Sequence, residues 1–181
     1  MKIFITGIAG FLGSHLADRF LSEGHTVLGN DTLIGGYRDN VPKGAKLFIV
    51  DCCDNEKMAY IMQDCDIVVH TAATAHEGLS VFSPSFITRN IFEASVSTIS
   101  AAIQNKVKRF VYCSSMARYG NQQTPYTEDM TPMPEDPYAV AKVAGEQILK
   151  MLCETHGMEW NIAIPHNIVG PRQRYDDPFR N

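Results

Sequence analysis

Short apolar runs alternate along this chain with longer stretches in which apolar residues recur every three or four positions. Lys2–Thr6, with Ile3-Phe4-Ile5 at its centre, has the continuous apolar character of a strand buried on both faces. Phe11–Ser22 carries a helical period that Gly24 stops. Further strands are expected over residues 26–30, 46–50, 66–70, 109–114 and 160–164. The helices between them are expected over 55–62, over one long stretch starting at 83 or 86 and ending at 105, and over 137–156. Residues 31–44 and 121–136, rich in Gly, Asn, Asp or Pro, read as loops. Strands that alternate with helices imply right-handed crossovers and a parallel sheet covered on both faces. The expected fold is therefore α/β, a doubly wound Rossmann sheet in the order 3-2-1-4-5-6.

Candidate chemistry sits at the junctions of this pattern. Gly7, Gly10 and Gly13 fall between the first strand and the first helix. The first glycine permits a tight turn, the second a close approach of backbone to phosphate, and the third close packing of helix on sheet. The helix start then offers free N–H groups and a partial positive charge to a pyrophosphate. Asp31 closes the second strand, where a carboxylate accepts both adenosine ribose hydroxyls and repels a 2′-phosphate. This favours NAD over NADP, the nearest following base being Arg38. Asp51, at the end of the third strand, either meets an adenine amino group or is a plain turn residue. His70-Thr71-Ala72-Ala73 ends the fourth strand with small residues against which a cofactor can lie, and His70 is given no catalytic role.

Tyr138 and Lys142 share one face of a helix that Asp136 caps and Pro137 begins. Positive charge from Lys142 and an oxidised nicotinamide is expected to lower the Tyr138 pKa and suit it to proton transfer. Ser114-Ser115 closes the fifth strand, and the carboxyl ends of such strands border the ligand crevice.

Composition changes this picture little. A length of 181 residues suits one domain, and a net charge of −4 gives no reason to expect nucleic acid or an anionic membrane as partner. No apolar stretch is long enough to span a bilayer and the start of the chain has no signal-peptide character, which points to the cytoplasm. The five cysteines show no zinc or CxxC spacing and read as free thiols, Cys113 as a small buried apolar residue. The six histidines show no metal-ligand pattern. After Ile164 the chain turns polar and reads as cut off, which divides it into a cofactor-binding domain over 1–165 and the start of a substrate-binding region over 166–181.

Taken together, Gly7, Gly10, Gly13, Asp31, Asp51, His70-Thr71-Ala72-Ala73, Asn90, Ser114-Ser115, Tyr119-Gly120, Pro137-Tyr138, Lys142 and Asn167-x-x-Gly170-Pro171 resemble the extended short-chain dehydrogenase/reductase superfamily. Within it they resemble the NAD-dependent nucleotide-sugar epimerases and dehydratases. The resemblance implies NAD as cofactor and a nucleotide sugar as substrate. It implies Ser115, Tyr138 and Lys142 as the catalytic set: Tyr138 moves the proton, Lys142 holds the nicotinamide ribose, and Ser115 binds the sugar hydroxyl. It places Gly7, Gly10, Phe11, Leu12, Gly13, Asp31, Asp51, Cys52, Thr71, Ala72, Ala73, Asn90, Cys113, Tyr138, Lys142 and Pro165 at the cofactor, and Ser115 with Asn167 at the substrate.

Where the family's dehydratases carry an Asp-Glu pair after the catalytic Ser or Thr, this chain has Met116 and Ala117, neither of which can transfer a proton. That argues for epimerisation at C4. The alternatives are a nucleotide-sugar reductase using NADPH and a non-catalytic NAD-binding module. The resemblance also implies a homodimer through a four-helix bundle of the helices over 83–105 and 137–156. Ile91, Ala94, Ile99 and Ile103 would supply part of the apolar face.

Overall fold

The computed structural model describes residues 1–174 and 176. Six parallel strands form one sheet: β1 (Lys2–Thr6), β2 (Thr26–Asp31), β3 (Lys46–Ile49), β4 (Ile67–His70), β5 (Arg109–Cys113) and β6 (Glu159–Ala163). Their order is β3-β2-β1-β4-β5-β6, as the alternating pattern predicts. Ile3, Phe4 and Ile5 are buried because β1 lies in the middle of the sheet with layers on both sides. Phe4 belongs to the larger core with Val68, Phe110, Ile99 and Leu149, while Ile3 and Ile5 pack with Val27 and Ala17 on the other face. Each such side chain contributes about 1.5–3 kcal/mol through burial.

Register then assembles the carboxyl edge. Thr6 lies opposite Asn30 of β2 on one side and His70 of β4 on the other. The chain leaves β1 for β2 in one direction and for β4 in the other, so the crevice opens at the switch point beside Thr6.

Helix α1 (Phe11–Ser22) follows β1, and α2 (Asn55–Ile61) follows β3. A short α3 (Glu77–Phe82), not expected from the sequence, comes first. The expected long helix over 83–105 follows as one helical path, α4 (Pro84–Thr88), a single wide turn over Arg89–Glu93 with π-type bonding that was not expected, and α5 (Ala94–Gln104). Pro84 explains the break between α3 and α4, because it forces the preceding Ser83 out of the helical region, to φ −135° and ψ 57°. The π-type turn inserts one extra residue into the helical path and carries Asn90. Helix α6 (Pro137–His156) matches expectation, with Asp136 accepting from the Ala139 N–H at 2.9 Å and Gly157 closing it in the left-handed conformation. Of the expected substrate-side segment 166–181, residues 175 and 177–181 lie outside the described residues.

The apolar face proposed for dimerisation is also corrected. Ile91, Ala94 and Ile99 are buried inside the chain's own core and Ile103 packs against it. The exposed apolar side chains in this part of the molecule are Val81, Phe82, Phe86 and Val140, with Phe82 86% exposed. Among the described residues no helix is long and apolar enough to cross a membrane.

Candidate active site

A single cavity of about 1000 Å³ runs along the carboxyl edge of the sheet. The residues assigned above to cofactor and substrate line it, from Gly7, Gly10, Phe11, Leu12 and Gly13 through Asp31, Asp51, Cys52, Thr71, Ala72, Ala73 and Asn90 to Cys113, Ser115, Tyr138, Lys142, Pro165 and Asn167.

At one end the cavity is shaped by backbone. Gly7 has φ +69°, and a Cβ there would lie 3.0 Å from the Ala72 Cα. A Cβ on Gly13 would overlap the Gly7 carbonyl oxygen, so a larger residue would push α1 off β1. No side chain caps α1, which leaves its first-turn N–H groups for a ligand in the cavity. Thr6 Oγ1 accepts from the Ala72 N–H at 3.0 Å and bonds His70 Nδ1 at 2.9 Å, tying the glycine turn to β4. The other nitrogen of His70 lies 3.1 Å from Ser95 Oγ, and burial pulls the imidazole pKa down to about 3. His70 is thus a neutral structural link.

Asp31 sits at the far side of this end. Its Oδ2 accepts from the Ala9 N–H at 3.0 Å and its Oδ1 from the Leu33 N–H at 2.8 Å. Burial raises its pKa, against the pull of these backbone bonds. The Thr32 and Gly10 N–H groups also act on this carboxylate, which marks it as the acceptor at this end of the cavity. An arginine of the tail also lines the cavity: Arg174 donates to the Ile34 carbonyl at 2.9 Å and pairs with Asp176 at 2.8 Å. Asp51 closes the turn after β3 and also carries an ion pair. Its carboxylate accepts from the Cys53 N–H at 2.9 Å and pairs with Arg89 at 3.1 Å. Burial acts to raise its pKa, but these contacts outweigh it and hold the carboxyl below its ordinary range. Cys52 is buried beside Asn30, which brings its Nδ2 within 3.2 Å, and burial pushes its thiol up to about 11.

The other end is built from side chains of β5, the 3₁₀ turn Met116–Tyr119 and α6. Ser115 caps that turn, its Oγ accepting from the Ala117 N–H at 3.2 Å, and its hydroxyl acts on the Tyr138 phenol to favour the ionised form. Lys142 Nζ donates to the Cys113 carbonyl at 2.7 Å and lies 5.9 Å from the centre of the Tyr138 ring. At 2% exposure Lys142 is buried, and burial lowers its pKa. The expected fall in the Tyr138 pKa is absent from the protein alone. Burial pushes the phenol up to about 12, and the Ser115 hydroxyl only partly opposes this. Asn90 donates to the Phe86 carbonyl at 2.8 Å, and the Asn167 N–H bonds His166 Nδ1 at 2.8 Å.

The sequence pattern did not reveal Glu77, Arg118 or Glu146 as contributors, and it gave Asp136 only as a helix cap. Glu77 and Asp136 line the cavity, with Ser80 Oγ reaching Asp136 at 3.3 Å and so tying α3 to the cap of α6. Arg118 and Glu146 form a buried ion pair at 3.2 Å directly behind Ser115. The available signal was the spacing of Glu146, four residues after Lys142 on the same helical face.

Fold and cavity together define a Rossmann-type α/β domain with a ligand crevice at its switch point. The chain belongs to the NAD dependent epimerase/dehydratase family, whose sequence model matches residues 3–180. It is 34% identical, over 96% of its length, to a UDP-glucose 4-epimerase of Mycolicibacterium smegmatis and covers 58% of that protein. It superposes with a TM-score of 0.93 on the Thermus thermophilus UDP-glucose 4-epimerase solved with NAD, at 33% identity, covering 96% of this chain and 58% of that one. The dTDP-glucose 4,6-dehydratase of Streptomyces venezuelae, also solved with NAD, gives a TM-score of 0.91 at 26% identity, covering 98% of this chain and 59% of that one. The chain therefore spans a little under three-fifths of the length of these relatives.

Proposed function

We propose that this chain binds NAD and carries the cofactor-binding and proton-transfer machinery of a nucleotide-sugar 4-epimerase. The observation that carries this reading is the convergence of Ser115, Tyr138 and Lys142 on one cavity that also contains the glycine turn and Asp31. The residues fit a dinucleotide: the turn is clear of side chains where a pyrophosphate must approach, and the Asp31 carboxylate is the acceptor offered to a ribose. NAD when bound supplies the acceptor and donor of hydride.

The chain's own residues handle the rest. Tyr138 takes the proton from the sugar hydroxyl that becomes a carbonyl and gives it back after the sugar has turned over. Lys142 holds the nicotinamide ribose and stabilises phenolate. Ser115 donates to the reacting oxygen and orients it. With Lys142 and Ser115 already in place, burial still leaves the Tyr138 phenol at about 12, which makes ligand charge part of the activation. Met116 and Ala117 offer no proton to a leaving hydroxyl, which favours epimerisation over dehydration.

Residues 1–165 form the cofactor domain in this reading, and 166–181 begin the substrate side with Asn167. A second copy would dock on the shallow apolar groove between Phe92, Pro137, Val140 and Ala144. The test is an NMR assay of UDP-glucose incubated with the chain and NAD+. Formation of the 4-epimer, reduced about 10²–10⁴-fold by Tyr138→Phe, supports the reading. Epimer formed equally by Tyr138→Phe, or none at all, overturns it.

A further inference from the structure

Three buried polar side chains, Ser114 in the cavity wall and Arg118 and Glu146 outside its lining, have no part in the steps above. Glu146 stands on α6 four residues after Lys142 and eight after Tyr138, so the three share a face. One of its carboxylate oxygens accepts from Ser114 Oγ, and the other lies 3.2 Å from Arg118 Nη2. The Arg118 and Glu146 side chains are 7% and 3% exposed. Arg118 Nε has no hydrogen-bond partner among the described residues. The Arg118 carbonyl accepts from the Met133 N–H at 2.8 Å, so the same residue also anchors the loop before α6.

A buried ion pair is an expensive way to hold two elements together. Desolvation offsets most of its attraction, and apolar residues of equal volume commonly stabilise as well or better. What the pair adds is direction, because the guanidinium fork and the carboxylate meet in few geometries. Here the direction is useful. Ser114 and Arg118 flank Ser115, and both are held by one carboxylate on the helix that presents Tyr138 and Lys142.

We propose that Glu146 and Arg118 are positioning residues: their ion pair, with the Ser114 hydrogen bond, sets the segment 114–120 on α6 so that Ser115 meets Tyr138. This rests on the roles given above to Ser115, Tyr138 and Lys142. The Glu146 charge also favours the protonated form of Lys142. The other groups facing that ammonium are the Cys113 carbonyl and thiol, the rings of Tyr112 and Tyr138, and His70.

The test compares Glu146→Gln and Arg118→Lys with the unaltered 181-residue chain. Two readouts are used: hydrogen exchange over residues 114–120, and the NMR titration of the Lys142 ammonium. Glu146→Gln retains an acceptor for Ser114 but loses the charge. It should speed exchange over 114–120 about tenfold, leave α1 unchanged, and lower the Lys142 midpoint by about one unit. Arg118→Lys keeps the charge but loses the fork, so it should speed exchange less and leave the Lys142 midpoint in place.

Exchange within twofold of the parent in both variants, with an unmoved Lys142 midpoint, overturns the proposal. So does faster exchange spread evenly over the chain, α1 included, because the pair would then be general packing. Neither readout needs NAD. A parent chain that binds no NAD+ would sink the functional reading while these two measurements still decide the role of the pair.

Discussion

The two ends of the cavity are made by different physics. At the glycine end the shape is set by backbone, with Gly7 and Gly13 allowing β1, α1 and the Ala72 strand end to approach until only hydrogen side chains fit. The links that tie β1 to β4 there are short and neutral, Thr6 to Ala72 and His70 and His70 to Ser95, while the Asp51–Arg89 ion pair of this end is partly exposed. At the tyrosine end the shape is set by buried charge. Lys142 leans on the Cys113 carbonyl, and Glu146, behind the wall, holds Arg118 and Ser114. The first end is a steric mould and the second an electrostatic one. A ligand that fits the mould then brings its reacting atoms into a region where charge and protonation matter.

The contrast can be broken in three places. The largest effect is expected at the ion pair. Arg118→Met strands the Glu146 carboxylate in a buried site and should cost about 3–5 kcal/mol in urea unfolding, while adding Glu146→Leu should recover most of the loss. If the double variant is no better than the single one, the two residues are not coupled and the tyrosine end is not held by charge.

The next effect is steric. Gly13→Val drives a side chain into the Gly7 carbonyl and should cost about 1–3 kcal/mol, with dinucleotide binding lost at every pH. Binding that survives the change would show that α1 can shift without harm and that the mould is soft.

The smallest effect is the pH signature of Lys142. Burial lowers its folded pKa below its ordinary 10.5, so between those two values the unfolded chain binds more protons than the folded one. Stability from this group therefore rises with pH through that window. Lys142→Met should remove that rise, so the parent-minus-variant difference in unfolding free energy should climb with pH up to about 10.5. A flat difference would mean that Lys142 is not buried as a cation.

The same contrast explains what the amino-acid sequence displayed and what it hid. The glycine end was legible because its parts are local: a strand end, a turn and a helix start within residues 2–22, with Asp31 closing the next strand. Tyr138 and Lys142 were legible because one helix carries both. Arg118 and Glu146 were not, because only the packing of β5 and its turn on α6 brings them together. The wide turn over Arg89–Glu93 was hidden for another reason, since one extra residue in a helical path barely disturbs an apolar period. Ser83-Pro84 marked the start of that helical path, but the short α3 before it carried too little apolar period to be read. The dimer face failed in a related way. A periodic apolar stripe tells that a face is buried, and Ile91, Ala94 and Ile99 are, but against their own core. The high pKa of Tyr138 was missed because spacing shows the neighbouring cation and not the depth of burial.

The central claim is that this cavity is a dinucleotide site with Asp31 at its ribose end. Calorimetric titration of the 181-residue chain with NAD+ and with NADP+, repeated on Asp31→Asn, tests it most directly. The account predicts NAD+ binding well above NADP+ binding in the parent, and a preference that narrows in Asp31→Asn as the repulsion of a 2′-phosphate is removed. Binding of neither nucleotide, or an unchanged preference in Asp31→Asn, would contradict it.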